Sequence, residues 1–313
     1  MGDSKAILAL NELKSKAALA AFFVIYCVIG LLLDIIIYNM PSLTYGFYML
    51  LTFQVFPMAT VGMAAFGVVS IFVTYSMYDK IMLYGHEYKE VTPENASGFE
   101  GRLYNMIDSL AAKGGLGYMP RVYVIEADYM NAFASGFSQK SAMVAITTAL
   151  INRLDEKEIE AVMAHEISHI KHGDIKLTLL ISVLANVMLF VVNIGVMFFG
   201  GSRDSGGARA AKMILFALQF ILPLITGVLS MFLSRTREYM ADAGSVEITG
   251  DKQAMANALI KIHNNYAAEP HAEDEGAEFR RAAYIFEPKA FASLFSTHPS
   301  LQDRLKALGF EGR

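Results

Sequence analysis

The sequence predicts a mainly α-helical integral membrane protein that also carries a small β-sheet. Of its 313 residues, 54% are hydrophobic and 18% are charged, whereas soluble domains average about 45–50% apolar and about 25% charged residues. The apolar residues are concentrated in blocks, which is typical of a membrane protein. The polar stretches between the blocks show helical and strand-like periodicity, which predicts regular structure there as well.

Four apolar stretches are candidates for membrane-spanning helices, each of which needs about 20 mostly apolar residues. They cover residues 17–38, 48–77, 177–199 and 213–233. Pro57 interrupts the second stretch and Pro223 the fourth, but membrane helices tolerate proline. The first stretch is longer than the apolar part of a cleavable signal peptide, so we interpret it as a membrane helix.

Basic residues set the expected orientation, because cytoplasmic loops carry an excess of lysine and arginine. Residues 39–47, between the first two spans, contain neither. Lysines flank this pair of spans on its other side, namely Lys5, Lys14, Lys16, Lys80 and Lys89. The N-terminus and the region after the second span are therefore expected in the cytoplasm. The connection between the third and fourth spans is also basic, so a shallow hairpin that does not fully cross is a second interpretation.

The polar regions contain recognisable helices and strands. Residues 155–171 form the clearest predicted helix, because apolar residues recur at helical spacing and acidic residues occupy the first turn. Further helices are predicted at 101–110, 234–246 and 252–264, and strands at 121–125 and 141–148.

Charge and cysteine content exclude several kinds of site. The formal net charge of -4 argues against a nucleic-acid partner, which requires a concentrated basic surface. Cys27 is the single cysteine, so neither a disulfide framework nor a cysteine zinc site is possible. Any metal ion must therefore use histidine or carboxylate ligands.

The predicted helix at 155–171 contains a metal-binding pattern, His165-Glu166-Ile167-Ser168-His169. Histidines four residues apart lie on one face of a helix. Two such imidazoles can bind zinc while the glutamate between them acts as general base toward a water molecule. The pattern also arises by chance, and the alternative is a charged, solvated helix face.

A catalytic zinc ion needs a third protein ligand and an open position for water. One protease class has glycine and histidine where this chain has His172 and Ile175, so that class is excluded. The other common ligand is a glutamate on a separate helix, and Glu238 fits this role. Asp242, one helical turn later, is expected to bond a histidine ligand and set its tautomer. The alternative is that Glu238 pairs with a neighbouring arginine at the membrane edge.

Together these segments resemble one known family. The resemblance rests on the 165–169 motif with Gly173-Asp174, on Ser234-Arg235-Thr236-Arg237-Glu238-Tyr239 with Ala241-Asp242, on Thr297-His298-Pro299 and on Asn131-Ala132-Phe133-Ala134. The arrangement is similar to the HtpX heat-shock metalloproteases of peptidase family M48, whose relatives include the CAAX prenyl proteases. The similarity covers nearly the whole chain.

The resemblance implies a minigluzincin-like catalytic domain, about four transmembrane helices and one zinc ion per chain. It makes His165, His169 and Glu238 the zinc ligands and Glu166 the catalytic base. It divides the chain into membrane helices at 1–78, a first protease segment at 79–176, a transmembrane hairpin at 177–233 and a second protease segment at 234–313.

The resemblance also suggests how a substrate binds. The predicted strand at 142–148, which includes Ala145, is expected to pair with an extended substrate as an added strand. Asn131, Ala132 and Phe133 are expected to contact the substrate nearby. For Asn131 the alternative is a turn-forming role.

Other polar residues have weaker predicted roles. His298 is a candidate donor to the developing oxyanion, and a structural histidine is the alternative. Arg304 is a candidate partner of the metal-site residues, and a surface arginine is the alternative. His172 either competes for metal or is a solvated neighbour. Three polar residues in the third and fourth spans either bond across these helices or line a wet path, namely Asn186, Asn193 and Gln219.

The predicted function is a zinc-dependent endopeptidase of the bacterial cytoplasmic (inner) membrane with its active site facing the cytoplasm. The resemblance implies hydrolysis of misfolded or damaged membrane proteins in quality control and the stress response, and also self-cleavage. The expected partners are the lipid bilayer and unfolded substrates, and not nucleic acid. The alternatives are a CAAX-type prenyl-protein protease, a site-2-type intramembrane protease and a non-catalytic zinc-binding chaperone or scaffold.

Overall fold

The computed structural model describes residues 2–83, 85–136, 138–173, 188–189, 192–193, 205–268 and 299–310. The chain forms two compact units. The first, which we call the mixed unit, comprises Met1–Glu12, Met77–Leu179 and Ser230–Arg313. The second, which we call the helical unit, comprises Leu13–Ser76 and Leu180–Leu229. The division into two membrane and two protease segments stays a prediction.

Helices make up most of the described residues, and four short strands form one sheet. The helices are α1 (Gly2–Ile37), α2 (Leu43–Leu51), α3 (Met58–Leu83), α4 (Gly98–Lys113), α5 (Thr148–Arg153), α6 (Glu156–His172), α7 (Gly206–Thr249), α8 (Lys252–Ala268) and α9 (Leu301–Ala307). The strands are β1 (Glu87–Val91), β2 (Arg121–Glu126), β3 (Ala132–Ser135) and β4 (Met143–Thr147). The prediction of a mainly helical protein with a small sheet is confirmed.

Two of the described helices are long and apolar enough to cross a membrane. The stretches are Ala20–Ile37 in α1 and Gly206–Leu224 in α7, and Met58–Val73 in α3 is a shorter apolar helix. The first and fourth predicted spans overlap the two long stretches. The third predicted span, 177–199, lies almost entirely outside the described residues.

The second predicted span, 48–77, is not one continuous helix, and whether it crosses a membrane stays a prediction. Helix α2 ends at Leu51 and α3 begins only at Met58, because Phe53 between them adopts a left-handed φ of 55° that no helix continues through. The Pro57 carbonyl then accepts the first hydrogen bond of α3. Both helices and the turn are apolar, so hydropathy alone could not reveal the break.

Polar side chains join helices inside the helical unit. Asp34 in α1 is fully buried, and its carboxylate accepts hydrogen bonds from the Ala59 and Thr60 N–H groups at 2.8 Å and from the Thr60 hydroxyl at 2.7 Å. It therefore caps the N-terminus of α3 from a different helix. The Gln219 amide donates to Asn193 at 2.8 Å, which confirms one predicted bond between polar residues; Asn186 lies outside the described residues.

The sheet of the mixed unit has the strand order β1-β2-β4-β3. Strands β2 and β4 are parallel, and β1 and β3 run antiparallel to their neighbours. Because β4 has a hydrogen-bonded strand on each side, its main chain cannot pair with a substrate. The expectation that the 142–148 strand adds a substrate strand is therefore wrong, and β3 is the edge strand on that side.

Helix α6 packs against α4, α8, the edge strand β3 and the internal strand β4. Its start is fixed by a reciprocal pair of hydrogen bonds, since Asp155 accepts from the Glu158 N–H at 3.0 Å and Glu158 accepts from the Asp155 N–H at 2.9 Å. Its end is fixed by Gly173, which has a left-handed φ of 64°. The predicted helix at 155–171 is confirmed, as are the helices and strands predicted elsewhere in the mixed unit.

Candidate active site

The two motif histidines lie on one face of α6, where their rings meet. The His165 side chain is fully buried, and its Nε2 atom lies 3.1 Å from Nε2 of His169. The spacing of four residues produces this contact, because one helical turn brings such side chains together.

Helix α7 brings Glu238 to this pair of histidines. One Glu238 oxygen lies 3.7 Å from Nε2 of His165, and the other lies 3.6 Å from Nε2 of His169. In a tetrahedral zinc site with bonds of about 2.0–2.1 Å, neighbouring ligand atoms lie about 3.4 Å apart. The donor types and separations of the three side chains therefore fit zinc, and they leave a fourth position for water.

Small residues allow α6 and α7 to approach closely enough for this geometry. The Ser245 hydroxyl of α7 donates to the Ala161 carbonyl of α6 at 2.6 Å. A Cβ atom added to Gly244 would overlap the Ser168 hydroxyl of α6. Ser168 of the motif thus lies at the crossing of the two helices, and this role could not be predicted from the sequence.

Replacement of Gly244 by alanine is expected to weaken zinc binding at least several-fold, even though alanine is the better helix former by about 1 kcal/mol. The added methyl group pushes α7 away from Ser168 and moves Glu238 from the histidines. Zinc affinity is measured by competition with a chelator. The swap Ser168→Gly with Gly244→Ala restores the space and should recover affinity. Ala243→Gly, at the exposed neighbouring position, is the control and should bind zinc as the wild type does.

Asp242 orients the first histidine. Its Oδ1 lies 2.9 Å from Nδ1 of His165, and both side chains are fully buried. A ring proton on Nδ1 faces this carboxylate and leaves the Nε2 lone pair for a metal ion. Burial lowers the pKa of His165, although the bond to Asp242 opposes the shift, which favours the neutral ring that a metal ligand requires.

Arg304 on α9 ties Asp242 and Glu238 together. Its guanidinium donates to the two Asp242 oxygens at 2.8 and 2.6 Å, and it lies 3.4 Å from Glu238. Burial raises the pKa of Asp242, but the arginine outweighs it and holds that pKa below its usual value. Since only 3% of Arg304 is exposed, the alternative of a surface arginine is excluded.

Glu166 is buried beside the histidines and close to the edge strand. Its pKa is raised to about 8, chiefly by burial and also by Glu238, although His169 and a hydrogen bond from the Ala134 backbone oppose the shift. A bound divalent cation favours the ionised carboxylate and lowers this pKa. The residue is therefore poised to exchange a proton near neutral pH, as a general base requires.

Strand β3 runs past this glutamate. The Thr147 N–H donates to the Asn131 carbonyl at 2.9 Å, so alternate residues of β3 pair with β4, while Ala132 and Ala134 direct their main-chain groups away from it. The Asn131 side-chain oxygen accepts from the Ala132 N–H at 2.8 Å, and its buried NH₂ has no hydrogen-bond partner among the described residues.

The predicted substrate contacts stay predictions, and two of them involve buried side chains. The Phe133 and Ala145 side chains are part of the buried core, so they face other core residues. His172 is also buried and is not one of the three side chains, among those described, that could share a metal ion. His298 lies outside the described residues.

Glu238 on α7 faces His165, Glu166 and His169 on α6. This arrangement, in which two histidines and one glutamate can hold a metal ion beside a second glutamate, is that of a metalloprotease. The chain belongs to peptidase family M48, whose family model matches residues 99–310. The resemblance stated from the motifs is thereby confirmed.

Two bacterial relatives agree with this assignment. The chain is 44% identical to "Protease HtpX homolog" of Helicobacter acinonychis (strain Sheeba), over 96% of this chain and 97% of that protein. It is 43% identical to the Helicobacter pylori (strain J99) protein of the same name, over 98% of both. Among solved structures it is similar to S. mikatae Ste24p, with a TM-score of 0.49 and 21% identity, covering 96% of this chain and 66% of that one.

Family membership and the membrane-capable helices make this chain a membrane metalloendopeptidase of the HtpX type. M48 metalloproteases use zinc, and the His165, His169 and Glu238 group is a possible site for it. The alternatives of a non-catalytic scaffold and a CAAX-type protease are not favoured.

Proposed function

We propose that this membrane endopeptidase binds one zinc ion per chain through His165, His169 and Glu238 and degrades misfolded or damaged membrane proteins. The observation that carries the proposal is the convergence of these three side chains next to a buried Glu166, alongside an edge strand. The proposed role is membrane quality control under stress.

When bound, zinc supplies a Lewis acid for the scissile carbonyl and lowers the pKa of water to near 7. Glu166 takes the proton of the attacking water and then delivers it to the leaving amine. Asp242 keeps the His165 tautomer that leaves Nε2 free, and Arg304 holds Asp242 and Glu238 in place. His298 is our candidate for stabilising the developing oxyanion.

The substrate binds, in this proposal, as an extended strand along β3. The outward carbonyl groups of Ala132 and Ala134 are the pairing partners, because the Ala132 N–H already donates to Asn131 and the Ala134 N–H to Glu166. The buried NH₂ group of Asn131, for which the described residues supply no partner, is our candidate donor to a substrate carbonyl. Recognition through the main chain tolerates many sequences, which suits an enzyme that removes unfolded proteins.

Glu238→Ala is expected to abolish stoichiometric zinc binding, with a larger loss than the 10–100-fold that removal of an outer-shell partner costs. Zinc content and affinity are measured by metal analysis and chelator competition, in a Glu166→Gln background that prevents self-cleavage. Glu247→Ala, an exposed glutamate on the same helix, is the matched control and should keep one zinc ion. Full zinc content in Glu238→Ala would remove Glu238 from the ligand set.

Substrate class is tested with the purified protein and zinc. We expect cleavage of an unfolded model substrate such as casein. Cleavage of only a prenylated CAAX peptide would support the narrower prenyl-protease activity, and suppression of aggregation without cleavage would support a chaperone.

We also propose that four helices cross the cytoplasmic membrane and that the active site faces the cytoplasm. In the helical unit the start of α7 is bonded to the turn after α1: the Ser205 N–H donates to Asn39 Oδ1 at 2.8 Å, the Ser205 hydroxyl donates to the Met40 carbonyl, and the Gly207 N–H donates to the Pro41 carbonyl at 2.9 Å. This supports a start of α7 at the membrane face where α1 ends. In this proposal the segment before α7 crosses as well, which disfavours the shallow hairpin.

Topology is measured with an impermeant thiol reagent in intact cells. In a Cys27→Ala background, Ser202→Cys is expected to react from outside. Gln253→Cys, exposed on α8, is expected to react only after permeabilisation. Labelling of residue 202 only from the cytoplasmic side would mean that the hairpin does not cross.

A further inference from the structure

The segment between α1 and α3 has an outer surface made of apolar and aromatic side chains. Six of them are 46–71% exposed, namely Tyr45, Tyr48, Leu51, Phe53, Phe56 and Met58. We call residues 43–58 the aromatic segment. A continuous apolar surface of this kind on an ordered segment indicates a binding surface.

Hydrogen bonds within the aromatic segment and to Ser42 and Tyr38 beside it fix its main chain. The Ser42 hydroxyl accepts from the Tyr45 N–H at 3.1 Å, and the Thr52 hydroxyl donates to the Tyr48 carbonyl at 2.6 Å. The Tyr38 hydroxyl donates to the Phe56 carbonyl at 3.0 Å. Internal bonding of this kind is what an irregular segment needs in order to lie where water is scarce.

The inner side of α2 is fixed against the end of α1. Leu50 is only 1% exposed, and Gly46 faces the Ile35 side chain so closely that a Cβ atom there would clash with it. The apolar outer side of α2 is thus held in one orientation. With nine residues, α2 is about 14 Å long, far less than the roughly 30 Å core of a bilayer.

The lack of charged residues and the continuity with the neighbouring apolar helices identify what covers this surface. Residues 35–78 contain no charged side chain and no histidine, so the segment offers nothing to an ionic partner. Its exposed side chains continue those of the apolar helices of the same unit, such as Phe23 and Val24 on α1 and Phe66 and Phe72 on α3. Tyrosine and other aromatic residues collect where membrane helices meet the headgroups.

We propose that the aromatic segment is an interfacial element, which inserts its aromatic side into the bilayer at the boundary between headgroups and acyl chains, in the leaflet where α1 ends. The partner is the lipid interface itself, with no selection for headgroup charge. The proposal does not depend on the proteolytic activity of the protein. It also does not depend on which leaflet of the bilayer contains the end of α1.

The absence of tryptophan from the chain allows a direct test of depth. A single tryptophan is introduced into the full-length protein as Phe53→Trp, and separately as Tyr48→Trp, and reconstituted in phosphatidylcholine vesicles whose lipids carry bromine near either the headgroup end or the far end of the acyl chain. Both variants are expected to be quenched at least twofold more by the shallow bromine. Addition of anionic phosphatidylglycerol should leave the quenching unchanged.

Two control positions calibrate the result. Phe66→Trp, exposed within the apolar part of α3, is expected to be quenched more by the deep bromine. Gln253→Trp on α8 is expected to be quenched by aqueous acrylamide and by neither lipid. If Phe53→Trp and Tyr48→Trp behave like Gln253→Trp, the segment lies in water and the proposal fails. Behaviour like Phe66→Trp, or quenching that depends on anionic lipid, also overturns it.

Discussion

Glu166→Gln is expected to reduce the rate of peptide hydrolysis by a factor of about 10²–10⁴, while one zinc ion stays bound. The amide has the shape of the carboxylate but cannot accept the proton of the attacking water. Because Glu166 lies beside the histidines without being one of the three converging ligand groups, its removal separates catalysis from metal binding. The measurement is casein cleavage together with zinc content.

The matched control for this variant is Glu160→Gln, a less buried glutamate on the same helix. It should cleave casein at the wild-type rate. Equal cleavage by the wild type and Glu166→Gln would contradict the role of Glu166 as base. Loss of zinc in Glu166→Gln would instead mean that this glutamate is needed for the metal site itself.

Arg304→Met is expected to destabilise the mixed unit by about 3–5 kcal/mol, because removing one partner of a buried ion pair leaves uncompensated charge. Three carboxylates, Glu166, Glu238 and Asp242, surround this one guanidinium, which is itself 3% exposed. We also expect zinc affinity to fall 10–100-fold, as when a metal ligand loses its outer-shell partner. Denaturant unfolding and chelator competition measure the two effects.

Arg304→Lys tests whether charge alone is sufficient. Lysine keeps the positive charge but cannot donate to both Asp242 oxygens at once, so it should recover part of the stability and little of the zinc affinity. A double-mutant cycle with Asp242→Asn measures the coupling between the two residues. A coupling near zero would show that Arg304 does not act through Asp242.

Local patterns predicted the elements of the mixed unit well. The helix at 155–171 was predicted because its apolar spacing and its acidic first turn agree with each other. The pairing of Glu238 and Asp242 with the histidines was predicted because a catalytic zinc needs a third ligand and an orienting partner. Both predictions depend on residue types and spacings that can be recognised within short stretches of sequence.

The differences between prediction and structure concern how segments of the chain pair with or follow one another. The 142–148 strand has the composition of any buried strand, and nothing in that composition distinguishes an edge strand from an internal one. An interruption was noted at Pro57, but its position at Phe53 was not predicted, because the residues on both sides of the turn are equally apolar. Strands β1 and β3 were not predicted, since each is only four or five residues long and its stability comes from its neighbours.

The sequence by itself determined the class of chemistry, because His165, Glu166 and His169 on one helical turn suit few purposes other than binding a metal ion and moving a proton. It also determined that parts of the chain are apolar enough for a membrane. Only the tertiary structure decided that β3, and not β4, runs along the site, that Ser245 and Gly244 set the approach of α7 to α6, and that Arg304 is buried against Asp242. These are contacts between residues distant in the chain, and they depend on packing that no local pattern encodes.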